Sequence, residues 1–248
     1  MPLPAFAPTR TTPRPHTVNR TMAAARLEVN GPAIDKLMRA GLLSTPIQAA
    51  EVDRLAGREW LEVIAGELTV LRTDARDIAD PAKMPSTDTR ALVGFHVDHS
   101  DTELIDSSLR WWRADAGRVL ENVLFTVTVA TIPVGVYALH ALAGTHQRPG
   151  EKWLRYHFNG TLLARMHRGQ TISYAENTSA DLRALARTIM RSRVSASSGG
   201  PLAYLEPRGP ALAIEDDAED DDMQARGIDD DSGYGEDSYF AHAMSKDD

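Results

Sequence analysis

The chain has no cysteine among its 248 residues. That excludes disulfides and thiolate metal sites and agrees with a reducing compartment, so the cytoplasm is the expected location. Catalytic signatures are missing as well. Ser107 and Ser108 are not part of a Gly-x-Ser-x-Gly elbow, and neither a glycine loop ending in Lys nor a dinucleotide glycine fingerprint occurs. His96-Val97-Asp98-His99 brings two imidazoles and a carboxylate together, but no third ligand follows at a recognised zinc or iron spacing. The expectation is therefore no catalytic residue, no metal and no cofactor. Residues 1 to 16 are rich in Pro and Thr and have no continuous apolar run, so they read as a disordered basic arm rather than a signal peptide.

One long stretch is short of charge. Between Asn122 and Gln147 there is no Asp, Glu, Lys or Arg. Its length alone would suit a membrane helix. However, Thr126 and Thr128 alternate with Phe125, Val127 and Val129, Pro133-Val134-Gly135 interrupts the run, and no basic cluster flanks it. Period-two alternation of β-branched residues with a break predicts two strands and a turn, and no membrane span.

Apolar residues make up 42% of the chain and charged residues 25%, the balance of a globular protein able to bury a core. The net charge of −8 hides a split. Residues 211–248 hold fourteen acids and two bases, a net of −12, so residues 1–210 carry +4. After a Ser-, Gly- and Pro-rich linker from 195 to 210, the acidic segment has too few aliphatics to offset its ordering entropy and is expected to be disordered. Tyr234, Tyr239 and Phe240 interrupt the acids, a pattern that suits either a solubilising tail or a segment, 215–248, that docks a basic protein partner.

The most patterned stretch runs from Thr17 to Arg58. Met22, Ala24, Ala25 and Leu27 precede a break at Asn30-Gly31-Pro32, Ile34, Leu37 and Met38 recur at helical spacing before Gly41, and Val52 and Leu55 begin a third apolar stripe. Three helices this short are not stable alone and must share one small core. Asn30 is expected to cap the second helix, and Pro32 is tolerable in its first turn, where the amide has no intrahelical partner. Ala24, Ala25, Leu27, Val29, Asn30, Ile34, Leu37, Gly41, Leu42 and Leu43 together resemble the excisionase and MerR-like winged helix-turn-helix family over residues 17–58. Glu28 stands where that family usually has a turn glycine, which places a residue with a side chain in left-handed conformation. The resemblance implies double-stranded DNA as partner, with the second helix in the major groove and Arg20, Asn30, Gly31, Ala33, Lys36 and Arg39 as contact positions. The first forty residues carry a surplus of four positive charges, suited to phosphate contacts.

Beyond it, Leu61 to Leu71 reads as a strand or hairpin and Asp74 to Thr89 as a connector. A second domain is expected over 90–194: a strand at 91–97, a helix from about Thr102 to Arg113, the 123–143 strand pair, an aromatic strand at 152–158 turning at Asn159-Gly160, and a closing amphipathic helix from Ser179 to Val194. Gly94-Phe95, Trp111-Trp112, Pro133-Val134-Gly135-Val136-Tyr137 and Phe158-Asn159-Gly160 resemble PUA-like domains, small pseudobarrels, and imply a base-stacking role for a tryptophan. Arg155, Arg165, Arg168, Arg183, Arg187 and Arg191 form a candidate second nucleic-acid face if folding brings them together.

The expected architecture is α+β: a small helix-turn-helix unit at 17–60, then a mixed, barrel-like β domain with a closing helix, between disordered termini. The expected function is DNA binding in the regulation of transcription or DNA transactions, with the second domain serving dimerisation (a homodimer), ligand sensing or a second nucleic-acid contact. A protein-interaction adaptor that uses the acidic tail is the alternative.

Overall fold

Two asparagines open the chain's first two helices. In the computed structural model, which describes residues 16–196 and 200–207, α1 spans Arg20–Leu27 and α2 spans Gly31–Arg39. The Asn19 side chain accepts from the Met22 amide, and Asn30 accepts from the Ala33 amide at 3.0 Å, each satisfying an amide that the helix leaves without a partner. Pro32 sits in the first turn of α2, as expected. Between the helices Glu28 adopts φ 51° and ψ 43° in the left-handed region, and its amide donates back to the Ala24 and Ala25 carbonyls. The third helix, α3, spans Ala49–Ala56. Leu27, Ile34, Leu37, Val52 and Leu55 are buried on the facing sides. Removing one, as in Leu37→Ala, should cost about 2–5 kcal/mol.

The rest of the described chain is built on one curled, mixed sheet, a half-barrel. Its strands in chain order are β1 (Leu68–Thr73), β4 (Arg110–Trp112), β5 (Leu124–Val129), β6 (Ile132–Gln147), β7 (Leu154–Met166), β8 (Ile172–Tyr174) and β9 (Leu202–Leu205), and a separate two-stranded ladder joins β2 (Asp77–Ile78) to β3 (Leu92–Val93). The order across the sheet is β4-β7-β6-β5-β1-β9, with β8 also on β7. Only β1 with β5 is parallel. The remaining α-helices among the described residues are α4 (Asp101–Ser108), α5 (Ala116–Glu121) and α6 (Ala180–Arg191). Ser100 and Glu103 cap α4 reciprocally, and Ser179 caps α6.

The uncharged stretch is the strand pair that its alternation predicts, β5 and β6, although the chain reverses at Ala130-Thr131 and Pro133 lies within β6 beside a bulge. No helix among the described residues is long and apolar enough to cross a membrane. The expected closing helix is α6.

Four expectations are corrected. Asn159-Gly160 is not a hairpin turn, since β7 runs straight through it and Gly160 pairs with Leu139. A Cβ at Gly160 would lie 2.8 Å from the Ala138 carbonyl oxygen, so glycine serves close strand approach there instead of reversal. The helix expected to Arg113 ends at Ser108, and Trp111 and Trp112 stand on strand β4, held by pairing with β7. Of the strand expected at 91–97, only Leu92–Val93 forms a ladder; Gly94, at φ +75°, packs against Ala75 so closely that a Cβ would fall 2.4 Å from its carbonyl oxygen. In the expected linker, Leu202–Leu205 form β9 alongside β1. The acidic segment 215–248 and residues 1–15 lie outside the described residues.

Buried residues from α1 to α3 and from the sheet belong to one continuous core, in which Ile34 and Leu37 share a cluster with Phe125, Tyr137 and Phe158. Arg193, itself buried, donates to the Leu27 carbonyl at the end of α1 and stacks 4.0 Å over the Trp60 ring. The outer half of β6, from His140 to Gln147, is largely exposed and forms a ribbon with β7.

Candidate nucleic-acid interface

Lys36 and Arg39 lie on α2, with side chains 38% and 61% exposed. Both face Asp74, which follows β1: Lys36 Nζ is 3.0 Å and an Arg39 guanidinium nitrogen 3.9 Å from its Oδ1. Arg20 reaches across to α2, pairing with Asp35 at 2.5 Å and donating from Nε to the Gly31 carbonyl at 3.1 Å. A Cβ on Gly31 would sit 3.1 Å from that guanidinium, so glycine there gives Arg20 its seat. Asn30 is exposed and spends its side chain as the cap; Gly31 and Ala33 are half-buried. The structure therefore brings all six expected contact positions onto α2 and the start of α1, and gives each basic one a carboxylate neighbour. No acid lies in the first turn of α2, leaving the positive end of the helix dipole uncompensated from within the helix.

At its far end α2 is fixed by Gly41, at φ +76°, against which Val97 and the His96 ring pack. The Val97 amide donates to the Ala40 carbonyl at 3.1 Å. Burial, followed by the charge of Arg76, lowers the His96 pKa. His99 is 2% exposed, and neither ring nitrogen has a partner among the described residues. Burial is the main cause that drives its pKa down to about 4, against a contribution from Glu103 that raises it. His99 is thus a neutral packed ring. No group of three or more metal-ligating side chains occurs among the described residues.

The six arginines expected on a second face separate into two sets. Arg155 and Arg165 are buried and have structural partners. Arg155 forks onto Glu151 at 2.8 and 2.9 Å, and Arg165 binds Asp101 at 2.7 Å and the Val97 and His99 carbonyls. Exposed Arg168 is neutralised by Asp98 at 2.5 Å. Arg155 and Arg165 are therefore committed to the fold, whereas Arg168 stays at the surface beside its carboxylate. Arg183, Arg187 and Arg191 recur every four residues along α6, one stripe of the helix.

Two further arginines adjoin that stripe, though sequence reading missed them because they come from a distant segment. Arg58 donates to the Met190 carbonyl in the last turn of α6, and Arg54 on α3 donates to Gln170 Oε1, just before β8. Tyr174 on β8 adjoins both segments: Arg187 sits 5.7 Å from its ring, and its hydroxyl is within electrostatic range of Arg58. None of these five arginines has a carboxylate within ion-pair distance among the described residues. Between the end of β8 and the first turns of α6 a cleft of about 430 Å³ is lined by Glu176, Thr178, Ala180, Arg183, Ala184 and Arg187. Thr178 Oγ1 and Arg183 Nε, from residues that line it, are buried with no hydrogen-bond partner among the described residues, as is the Tyr174 hydroxyl.

The tryptophans of β4 are packed rather than presented. Trp111 is 9% exposed, sits edge-on to His146 and His157, and donates from Nε1 to Asp88; Trp112 donates to the Ser108 carbonyl at 2.7 Å. The Asp88 carboxylate is fully buried and also pairs with Arg90 and Arg110, at 3.3 and 3.2 Å. Trp60 and Trp153 are exposed, at 45% and 65%, and Trp153 stands beside a cleft of about 370 Å³ that Arg113, Leu154 and Tyr156 also line. Comparison with known protein families, curated proteins and solved structures gave no match.

Proposed function

We propose that the chain is a double-stranded DNA-binding protein in which α1–α3 act as a helix-turn-helix unit. In this reading the Asn30-capped end of α2 enters the major groove, Lys36 and Arg39 lie at the base edges and neighbouring phosphates, and Arg20 braces the approach. The observation that carries it is the amino-terminal turn of α2, which is at the surface, has a side-chain cap and no acid, and is followed by two partly exposed cations on the same helix. The half-barrel, read as PUA-like, serves as a platform for dimerisation or for a second contact, and the role is one in transcription or DNA transactions. Binding of the full chain to a pool of random duplexes at rising salt tests this. A steep loss of affinity with salt, and loss of sequence preference in Lys36→Ala with Arg39→Ala, is expected. Sequence preference unchanged by that pair overturns the assignment of α2.

A second reading, a protein-interaction adaptor, has one observation in its favour. Trp153, Leu154 and Leu142 are 65%, 44% and 40% exposed on the β6–β7 ribbon, apolar surface of the kind that marks protein contacts. A chain ending at Gly209 separates the readings, because the adaptor loses a partner docked by residues 215–248 whereas a DNA binder retains its affinity.

A further inference from the structure

We infer that the arginine face formed by α6, β8 and the end of α3 is a phosphate-binding surface that grips the backbone of a nucleic-acid duplex. It deepens, and rests on, the reading of the chain as a DNA binder. The chain uses its cations in two ways. Around α2, Arg20, Lys36 and Arg39 each have a carboxylate within 4 Å, and Arg26 on α1 is paired with Asp53. Elsewhere Arg90, Arg110, Arg155 and Arg165 are consumed in ion pairs that hold the fold together. Arg54, Arg58, Arg183, Arg187 and Arg191 are different. They come from two segments far apart in the chain, adjoin β8 or line α6, and have no carboxylate partner among the described residues.

Like charges gathered without counter-charges repel, and a fold tolerates this where a polyanion supplies the compensation. The spacing on α6 favours an extended anion. Arg183, Arg187 and Arg191 are four residues apart, so successive guanidinium groups rise about 6 Å along the helix. That is close to the spacing of neighbouring phosphates along one strand. Arg183 anchors one end by donating to the Ala175 and Glu176 carbonyls, while Arg187 and Arg191 are exposed. The cleft beside them is lined by Arg183 and Arg187, so an oxygen-rich group seated there lies beside two guanidinium groups. Glu176 and Asp181 are the acids at this end, and neither is ion-paired with the stripe. Their repulsion places the main grip towards Arg187, Arg191, Arg58 and Arg54. The contacts are to phosphate, which positions a duplex without reading its sequence.

The test uses the full chain, wild type and an Arg54→Ala, Arg187→Ala, Arg191→Ala variant, all exposed positions. Binding to two unrelated 20-base-pair duplexes is measured from 50 to 200 mM salt, with inorganic polyphosphate as a separate probe and a thermal melt confirming the fold. The expected result is a loss of about tenfold or more for both duplexes alike, with the salt slope shallower by about 2 to 3. Arg54→Lys, Arg187→Lys, Arg191→Lys should retain most of the affinity. If the variant does not fold, Arg187→Glu alone carries the same expectation of uniform loss. Wild-type duplex binding that the alanine variant leaves unchanged in strength and slope overturns this inference and leaves the α2 reading standing. Polyphosphate binding that depends on the three arginines, without duplex binding, overturns the duplex as occupant of this surface and sinks the DNA reading with it. Binding of neither probe overturns both.

Discussion

Lys36 Nζ lies 3.0 Å from Asp74 Oδ1, so the principal cation of α2 is held by the residue that follows the sheet's parallel strand. The same oxygen is 3.9 Å from Arg39. One carboxylate thus restrains both side chains that the helix offers to a duplex. Asp74→Asn keeps the shape and leaves the backbone carbonyl that accepts from the Phe95 amide. It should raise duplex affinity about threefold to tenfold and steepen the salt slope by about 1, read by fluorescence anisotropy. An unchanged affinity would mean that neither cation meets DNA.

The cap of α2 has its own signature. Asn30→Ala strands the Ala33 amide and should destabilise the fold by about 1 kcal/mol, whereas Asn30→Gly should cost only a few tenths. Urea titration distinguishes these. If the two variants are equally stable, the Asn30 side chain is not acting as the cap.

His99 sets a pH dependence. Its folded pKa of about 4 lies below the ordinary imidazole value of about 6.5, so between those values the unfolded chain binds a proton that the folded chain refuses. Stability from this ring is complete above about pH 6.5, is lost as pH falls towards 4, and changes no further below that. The shift corresponds to about 3 kcal/mol. Arg76, His96 and Arg165 act on the ring in the same direction as burial and Glu103 opposes them, so His99→Leu should flatten the stability profile between pH 6.5 and 4. A profile of unaltered slope in that variant would assign the dependence to other groups.

Asp88 joins β4 to the connector before β3. Its buried carboxylate accepts from the Trp111 indole and neutralises Arg90, whose side chain is 8% exposed. Asp88→Asn leaves Arg90 buried without its charge partner and should cost about 3–5 kcal/mol, with the Trp emission shifting to the red as Trp111 loosens. Glu151→Gln should act the same way on Arg155, because that pairing holds the Glu151 pKa down to about 2. A loss below 1 kcal/mol in both would show these arginines to be served well enough by their backbone partners.

The sequence alone determined the local elements whose signals lie within a few residues. Asn30 and Pro32 announced the start of α2, Leu182, Ala186 and Ile189 announced α6, and the alternation of Phe125 to Val129 announced a strand pair. The left-handed turn at Glu28 was an expectation of the family resemblance, which puts a turn glycine at that position. Tertiary structure alone decided what depends on partners far along the chain. Asn159-Gly160 has the composition of a turn, yet pairing on β6 holds it straight, and Trp111-Trp112 became a strand through pairing with β7. The candidate sites divide the same way. Arg155 and Arg165 look like surface cations in sequence but are buried and paired with Glu151 and Asp101, whereas Arg54 and Arg58 adjoin β8 and α6 across more than a hundred residues of chain. A side chain's charge is written in the sequence; whether an opposite charge stands beside it is settled only by packing, and that decides which cations remain available to a ligand.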